Sequence, residues 1–210
     1  MNILVTEGLS VRLIGPKLAL TRTLLAPLKD EAISLSWPLV EYNQRKRDHQ
    51  PLLYFDIGFD PRYDMNIRVY RSGDYLGSRT MMTPQEGYIP VSSHCMVTKM
   101  VIVCKELSRW PVIVGRPEGL RCFDVFYAIY KTFQVPLTER EKREIDRSYL
   151  DRCRPAFEQR CKDSPGLYEW NLQEGMRRVD LLRGRRMFKG IKQSGAEWTL
   201  MMDSEDNTWL

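Results

Sequence analysis

The chain has 210 residues, enough for one large domain or for a domain with an extension. Its 43% hydrophobic and 28% charged residues are ordinary for a soluble globular protein, and no stretch approaches the ~20 apolar residues of a membrane span. The net charge is +5, and five cysteines are irregularly spaced behind an N-terminus without a signal-peptide pattern. These totals favour an intracellular protein, cytoplasmic or nuclear, whose cysteines are reduced core residues.

The first 36 residues predict an N-terminal extension packed on the main domain. "ILV" and "LSVRLIG" are typical of two short strands around Gly8. "TRTLLAPLKDEAISL" is typical of a short helix broken at Pro27. Residues 37–202 then form a single domain, and the acidic residues 203–210 form a loose tail.

The central part of the chain predicts β structure. Four segments rich in aromatic and β-branched residues are typical of strands: "PLLYFDIGF" (51–59), "NIRVYR" (66–71), "MVTKMVIVCKEL" (96–107) and "WPVIVG" (110–115). Pro111 lacks a backbone N–H, so it suits only the start or the edge of its strand. The polar, glycine-containing stretch 72–87 predicts a loop.

The hydrophobic period then changes to that of helices. In "LRCFDVFYAIYKTF" four residues recur on one helical face: Cys122, Phe126, Ile129 and Phe133. Thr138 and Glu141 form a capping box that predicts the start of a second helix. Pro155 is expected to end or kink that helix, and "PAFEQRCK" to open another short one.

The C-terminal part predicts β structure again. In "RRVDLLRGRRMFKGIK", residues 177–192 and hereafter the basic segment, Val179 and Leu181 alternate with charged neighbours, and Gly184 offers a turn. "MFKGI" and "EWTLMM" are typical of two strands joined through Ser194 and Gly195. The predicted fold class is α+β: a mostly antiparallel sheet, two to three helices inserted between strands, and a C-terminal β-hairpin.

The basic segment holds seven basic residues and one acid, a net charge of +6, so the rest of the chain carries −1. Its candidate polyanion contacts are Arg177, Arg178, Arg183, Arg185, Arg186 and Lys189. The competing interpretation is neutralisation by acids nearby in sequence: Asp163, Glu169, Glu174, Asp203, Glu205 and Asp206. A strand with arginines on both faces is a poor phosphate platform, which favours neutralisation.

Recognisable catalytic and cofactor motifs are absent from the sequence. There is no nucleophile elbow, no P-loop and no dinucleotide fingerprint. Only His49 and His94 are present, without a C-x-x-C pair, so we predict no metal site and no cofactor and assign no catalytic residue. An aromatic pocket involving Trp37, Trp110, Trp170 or Trp198 is the most plausible place for a small ligand, although core packing is the commoner role of such residues.

Five stretches occur in a characteristic order: "RWPVIV", "LRCFDVFYAIYKTF", "VPLTEREK", "RRVDLLRGRRMFKGI" and "EWTLMM". Together with "PLLYFDI", they resemble a functionally uncharacterised fungal domain family, expanded in mushroom-forming fungi, over roughly residues 35–202. The resemblance implies an α+β fold and carries over no catalytic residue, cofactor or substrate. It implies that Asp124 and Asp180 are structural, with Asp180 paired to a nearby arginine. Arg121 replaces the family's usual Thr cap, so the first helix must be capped by another group.

These observations favour a non-catalytic interaction or ligand-binding module whose partner is an unknown protein or small ligand. Two alternatives stay open. The first is an enzyme whose pocket no motif reveals, and the second is a nucleic-acid or polyanion binder acting through the basic segment. We expect no membrane association, and a monomer, because positive charges protect the edge of the C-terminal hairpin.

Overall fold

A computed structural model describes residues 11–13, 33–63, 66–71, 80–195 and 197–203. The predicted strand "ILV", most of the predicted N-terminal helix and residues 204–210 of the tail lie outside these ranges. The described strands and α-helices are, in chain order, β1 (Val11–Leu13), α1 (Tyr42–Arg47), β2 (Leu52–Phe55), β3 (Ile67–Tyr70), β4 (Thr80–Met81), α2 (Pro84–Gly87), β5 (Cys95–Val97), β6 (Lys99–Cys104), β7 (Val112–Gly115), α3 (Cys122–Phe133), α4 (Glu139–Glu144), α5 (Arg147–Asp163), α6 (Tyr168–Gln173), β8 (Met187–Ser194) and β9 (Glu197–Asp203). Three short 3-10 helices lie at Trp37–Leu39, Lys105–Leu107 and Arg178–Leu182.

The strands form one main sheet of four and two smaller sheets. The main sheet has the order β7-β6-β9-β8, and only its β6–β9 contact is parallel, with Ile102 opposite Trp198. A three-stranded antiparallel sheet, β2-β3-β4, meets β8 through a bridge between Asp56 and Met187. β1 pairs with β5. The predicted α+β class and the C-terminal hairpin, here β8–β9, are confirmed.

The core lies between α3 and the sheets. Phe126 of α3 contacts Phe55 of β2 and Phe188 of β8 edge-to-face, with ring centroids 5.4 and 5.3 Å apart. The predicted apolar face of α3 is fully buried, which confirms the helix and its orientation. Among the described residues no helix is long and apolar enough to cross a membrane.

Two local predictions are wrong: Pro155 does not end a helix, and the stretch predicted as a loop is not entirely irregular. The helix that begins after Thr138 ends at Glu144, and Asp146 starts α5 by accepting a hydrogen bond from the Tyr149 N–H at 2.9 Å. α5 then continues through Pro155, so the helix boundary is set by this cap and not by the proline. The stretch predicted as a loop contains β4 and α2 among its described residues.

The first half of the basic segment is also different from its prediction. Residues Arg178–Leu182 form a 3-10 helix and not an alternating strand, and it ends at Arg183 in a left-handed conformation with φ of 54°. Three consecutive residues, Val179, Asp180 and Leu181, are buried, a pattern that a strand with one exposed face does not produce.

Asp180 is the acceptor in a fully buried ion pair. Arg160 of α5 donates to Asp180 through Nε at 2.7 Å and Nη2 at 3.0 Å, and both side chains are 0% exposed. Asp180 also accepts from the Arg177 N–H at 2.7 Å, and Arg160 Nη2 donates to the Gly175 carbonyl at 3.3 Å. The pair therefore ties α5 to the 3-10 helix that precedes β8.

We expect Arg160→Met to destabilise the protein by about 3–5 kcal/mol, because it leaves the Asp180 carboxylate buried without its partner. Arg160→Met combined with Asp180→Leu should recover most of this loss, apart from about 1 kcal/mol for the unmet Arg177 N–H. Urea unfolding measures both. Arg140→Met is the control, since Arg140 pairs with Glu144 on the surface, and it should change stability little. A single variant as stable as the wild type would contradict the proposed importance of the pair.

Candidate functional site

Most candidate polyanion contacts of the basic segment lie beside acids of the same chain. The ion pairs are Arg177–Glu174 at 2.5 Å, Arg178–Glu141 at 3.0 Å, Arg185–Glu106 at 3.5 Å, Arg186–Asp56 at 2.9 Å and Lys189–Asp203 at 3.9 Å. Arg183 has no ion pair within the described ranges. Arg186 and Lys189 are 8% exposed, so their charges face the interior. The six side chains do not converge on one open surface.

The Arg178–Glu141 ion pair is reinforced by further hydrogen bonds to the Glu141 carboxylate. This carboxylate accepts from Arg178, from the Trp110 indole at 2.8 Å and from Thr138 in the predicted capping box. Burial alone would raise the pKa of Glu141, but these hydrogen bonds outweigh it and lower the pKa to about 2. The Arg178 charge is therefore matched by a stable carboxylate at neutral pH.

Asp124 and Asp180 occupy equivalent positions in two different elements. Each lies in a first helical turn and accepts a hydrogen bond from the backbone N–H three residues earlier, at 2.8 Å from Arg121 and 2.7 Å from Arg177. Asp124 also faces Arg116 at 3.2 Å. This carboxylate satisfies a backbone donor at the start of α3, where Arg121 provides no side-chain cap.

The cysteines and the histidines differ in burial: the cysteines are buried, and His49 and His94 are exposed. All five cysteines are free and buried, and burial raises the pKa of Cys104 to about 11 and of Cys122 to about 12. His94 is exposed, next to the buried Cys95. The described residues contain no group of three metal-ligating side chains. The tryptophans predicted as possible pocket residues differ in burial: Trp198 is buried in the core, whereas Trp170 is 62% exposed.

The main sheet ends in an open edge at β7. Arg116 donates its N–H to the Thr98 carbonyl at 2.8 Å, and in the same register Met100 faces Val114 and Ile102 faces Val112. Because hydrogen-bonded pairs alternate in an antiparallel ladder, the backbone groups of Ile113 and Gly115 point away from β6. They meet no hydrogen-bond partner in the part of the chain that the structure describes.

A groove of about 490 Å³ runs between this edge and α3. Its lining residues are Ile113, Val114, Gly115 and Arg116 from the strand side and Asp124, Tyr127 and Ala128 from the helix. The helical residues recur at intervals of three and four, so they lie on one flank of α3. Ile113 is 63% exposed, which is unusual for a large apolar side chain on an outer strand. We call this feature the β7 groove.

The sequence contained a partial signal for the β7 groove. Pro111 was expected at the start or the edge of its strand, and the structure places it immediately before β7, which is an edge strand of the main sheet. The flanking position of α3 carried no local signal, because it depends on the tertiary strand order.

A comparison with protein-family models matches residues 53–198 to a family of unknown function, DUF6699. No curated protein and no solved structure matches the chain.

We expect the folded protein to resist thiol reagents at pH 8. Only the thiolate attacks such reagents. Burial raises the pKa of Cys104, Cys122, Cys153 and Cys161, which favours their protonated thiols, and burial also makes all five cysteines inaccessible. Titration with a chromogenic disulfide should detect the five thiols in urea and react only slowly in native buffer. One rapidly modified cysteine in the native protein would instead indicate an activated nucleophile.

Proposed function

The chain belongs to the DUF6699 family, whose function is unknown, and from the geometry of the β7 groove we propose that it is a non-catalytic interaction module that binds an extended peptide. The peptide adds as a further strand beside β7. The observation that carries this proposal is the pair of outward-facing backbone groups at Ile113 and Gly115. Strand addition is the recognition mode in which main-chain hydrogen bonds supply affinity and side-chain pockets supply specificity.

The chemistry of the β7 edge favours a peptide over a small molecule. Ile113 and Gly115 each offer one N–H and one C=O, spaced as the backbone of another strand requires. Each hydrogen bond contributes about 0.5–1.5 kcal/mol net, so these bonds alone give weak binding. The remaining affinity must come from side chains of the peptide.

The groove floor defines the side chains that fit. Tyr127 and Ala128 are half-buried on α3, and Val114 is 9% exposed, so an apolar side chain is preferred at the position facing the helix. Arg116 at the rim is already paired with Asp124 and Glu118. The preferred ligand is therefore an extended segment with apolar residues and no strong net charge.

The alternative functions receive less support. An enzyme of the thiol class requires an activated cysteine, whereas burial raises the pKa of Cys104 and Cys122. A polyanion binder using the basic segment would have to displace the acids paired with its arginines, among them Glu141 and Asp56. An intracellular location, supported by the free cysteines, and a fungal origin, supported by the sequence resemblance, belong to the same proposal.

The proposal is tested with peptides selected from a random display library and with a variant that removes one backbone N–H of β7. Ile113→Pro removes the outward N–H while leaving the ladder to β6 in place, because that N–H does not bond to β6. We expect Ile113→Pro to weaken selected peptides about tenfold or more, measured by fluorescence anisotropy. Ile113→Val keeps the N–H and is the matched control, with affinity within about twofold of the wild type.

Equal binding of selected peptides to Ile113→Pro and wild type would contradict strand addition at β7. Failure to select any peptide would count against a peptide ligand. A concentration-dependent dimer in sedimentation, abolished by Ile113→Pro, would identify a second copy of the chain as the occupant.

A further inference from the structure

Arg45 is a buried cation without a partner. Its side chain in α1 is 0% exposed, and its Nε, Nη1 and Nη2 atoms have no hydrogen-bond partner, while no described residue forms an ion pair with it. Arg160, the other fully buried arginine, is held by Asp180. Burial lowers the pKa of Arg45 to about 10, so it stays charged at neutral pH. An unpaired buried charge is costly, and buried charges in proteins are normally paired.

A second cation, Lys189 of β8, contacts α1 through the Tyr42 ring. The pairing of β8 with β9 passes from Phe188–Met202 to Gly190–Met201, so Lys189 is the extra residue of a β-bulge. Bulges redirect side chains, and Lys189 lies with Nζ 4.1 Å from the centre of the Tyr42 ring. Tyr42 precedes Arg45 by three residues and therefore shares its side of α1. Burial, with a contribution from the positive charge of Arg45, lowers the pKa of Lys189.

The backbone is specialised to bring these two elements together. Gly190 has φ of 110°, and a Cβ atom there would lie 2.5 Å from the Val40 carbonyl oxygen and from the Glu41 Cα. Only glycine satisfies both requirements, so β8 and the start of α1 approach more closely than side chains would allow. The approach brings together the two elements that carry Arg45 and Lys189, and Asp203, 3.9 Å from Lys189, balances only one of these two charges.

We propose that Arg45 and Lys189 form a binding site for a phosphoryl group. Arginine and lysine are the usual phosphate ligands of proteins, the first through its planar fork and the second as a point charge. Arg45 offers three guanidinium nitrogens without hydrogen-bond partners, and Lys189 offers an ammonium group. A carboxylate has only two oxygens, so it cannot accept from all of these donors in one orientation. A phosphoryl group has more acceptor oxygens, and its charge balances the cation that Asp203 leaves unmatched.

Of the three charged groups, the Asp203 carboxylate is the most exposed. Its side chain is 35% exposed, whereas Lys189 is 10% and Arg45 fully buried. A phosphoryl group that reaches Lys189 therefore replaces Asp203 as its partner and then contacts Arg45. The site is independent of the β7 groove, since none of its residues lines that groove.

Thermal unfolding in the presence of inorganic phosphate tests the site. At constant ionic strength maintained with chloride, we expect phosphate to raise the melting temperature of the wild type by several degrees in a saturable manner. Glycerol 1-phosphate should act similarly if the ligand is a phosphate monoester, and acetate should have little effect. Arg45→Met and Lys189→Met should abolish the response. Lys192→Met is the matched control, because Lys192 is an exposed lysine of the same strand, and it should keep the response.

Absence of a saturable rise in the wild type would overturn the proposal, as would an equal rise in Arg45→Met. An acetate effect as large as the phosphate effect would overturn the phosphoryl assignment. If Arg45→Met does not fold, Lys189→Met and broadening of the phosphate 31P signal by wild-type protein decide the question. Ile113→Pro should respond to phosphate like the wild type, which separates this result from that for peptide binding.

Discussion

The buried pair of Arg160 and Asp180 is the contact on which the arrangement of the C-terminal half depends. It fixes α5 against the 3-10 helix of residues 178–182. The start of that helix and the residues before it are hydrogen-bonded to the segment following α3. The Leu137 N–H donates to the Met176 carbonyl at 2.8 Å, and the Arg178 N–H donates to the Val135 carbonyl at 3.1 Å. One buried carboxylate thereby holds α5, the end of α3 and the approach to β8 in a single arrangement.

Among the described strands, the order of the main sheet leaves one side of β7 free. The β8–β9 hairpin begins soon after the 3-10 helix, and β9 inserts beside β6 in parallel orientation. β8 then meets β2 through the Asp56–Met187 bridge, so one side of the main sheet is joined to the smaller sheet. The other side ends at β7, with α3 alongside it. An edge of this kind, apolar and without charged residues between Val112 and Gly115, is a natural template for another strand.

The concentration of positive charge in the basic segment suggested a surface for polyanions, but most of these charges are paired within the chain. Arg177, Arg178, Arg185 and Arg186 lie beside acids from several parts of the chain, so the largest cluster of charge in the sequence is mostly internal electrostatics. The fully buried cation for which the described residues supply no partner is Arg45, in a stretch with no distinctive pattern. Its exceptional status arises from burial, which depends on the bulge at Lys189 and on the close approach at Gly190.

Local patterns predicted those parts of the fold that are decided locally. The apolar period located α3, and the Thr138–Glu141 pair located the start of α4. The Val179–Leu181 alternation was misleading because Asp180 is drawn into the core by Arg160, a contact between residues twenty positions apart. The β7 groove and the Arg45 site were beyond prediction for the same reason, since strand order and burial are tertiary properties. Pro111 was compatible with an edge strand but equally with the start of any strand, and it lies directly before β7.

Amide hydrogen exchange at the four residues of β7 tests the open edge most directly. In the free protein the amides of Val112 and Val114, which face β6, should be protected, while those of Ile113 and Gly115 should exchange at rates close to those of an unstructured chain. Addition of a bound peptide should then protect Ile113 and Gly115 selectively. Equal protection of all four amides in the free monomer would show that the edge is already covered and would contradict strand addition at β7.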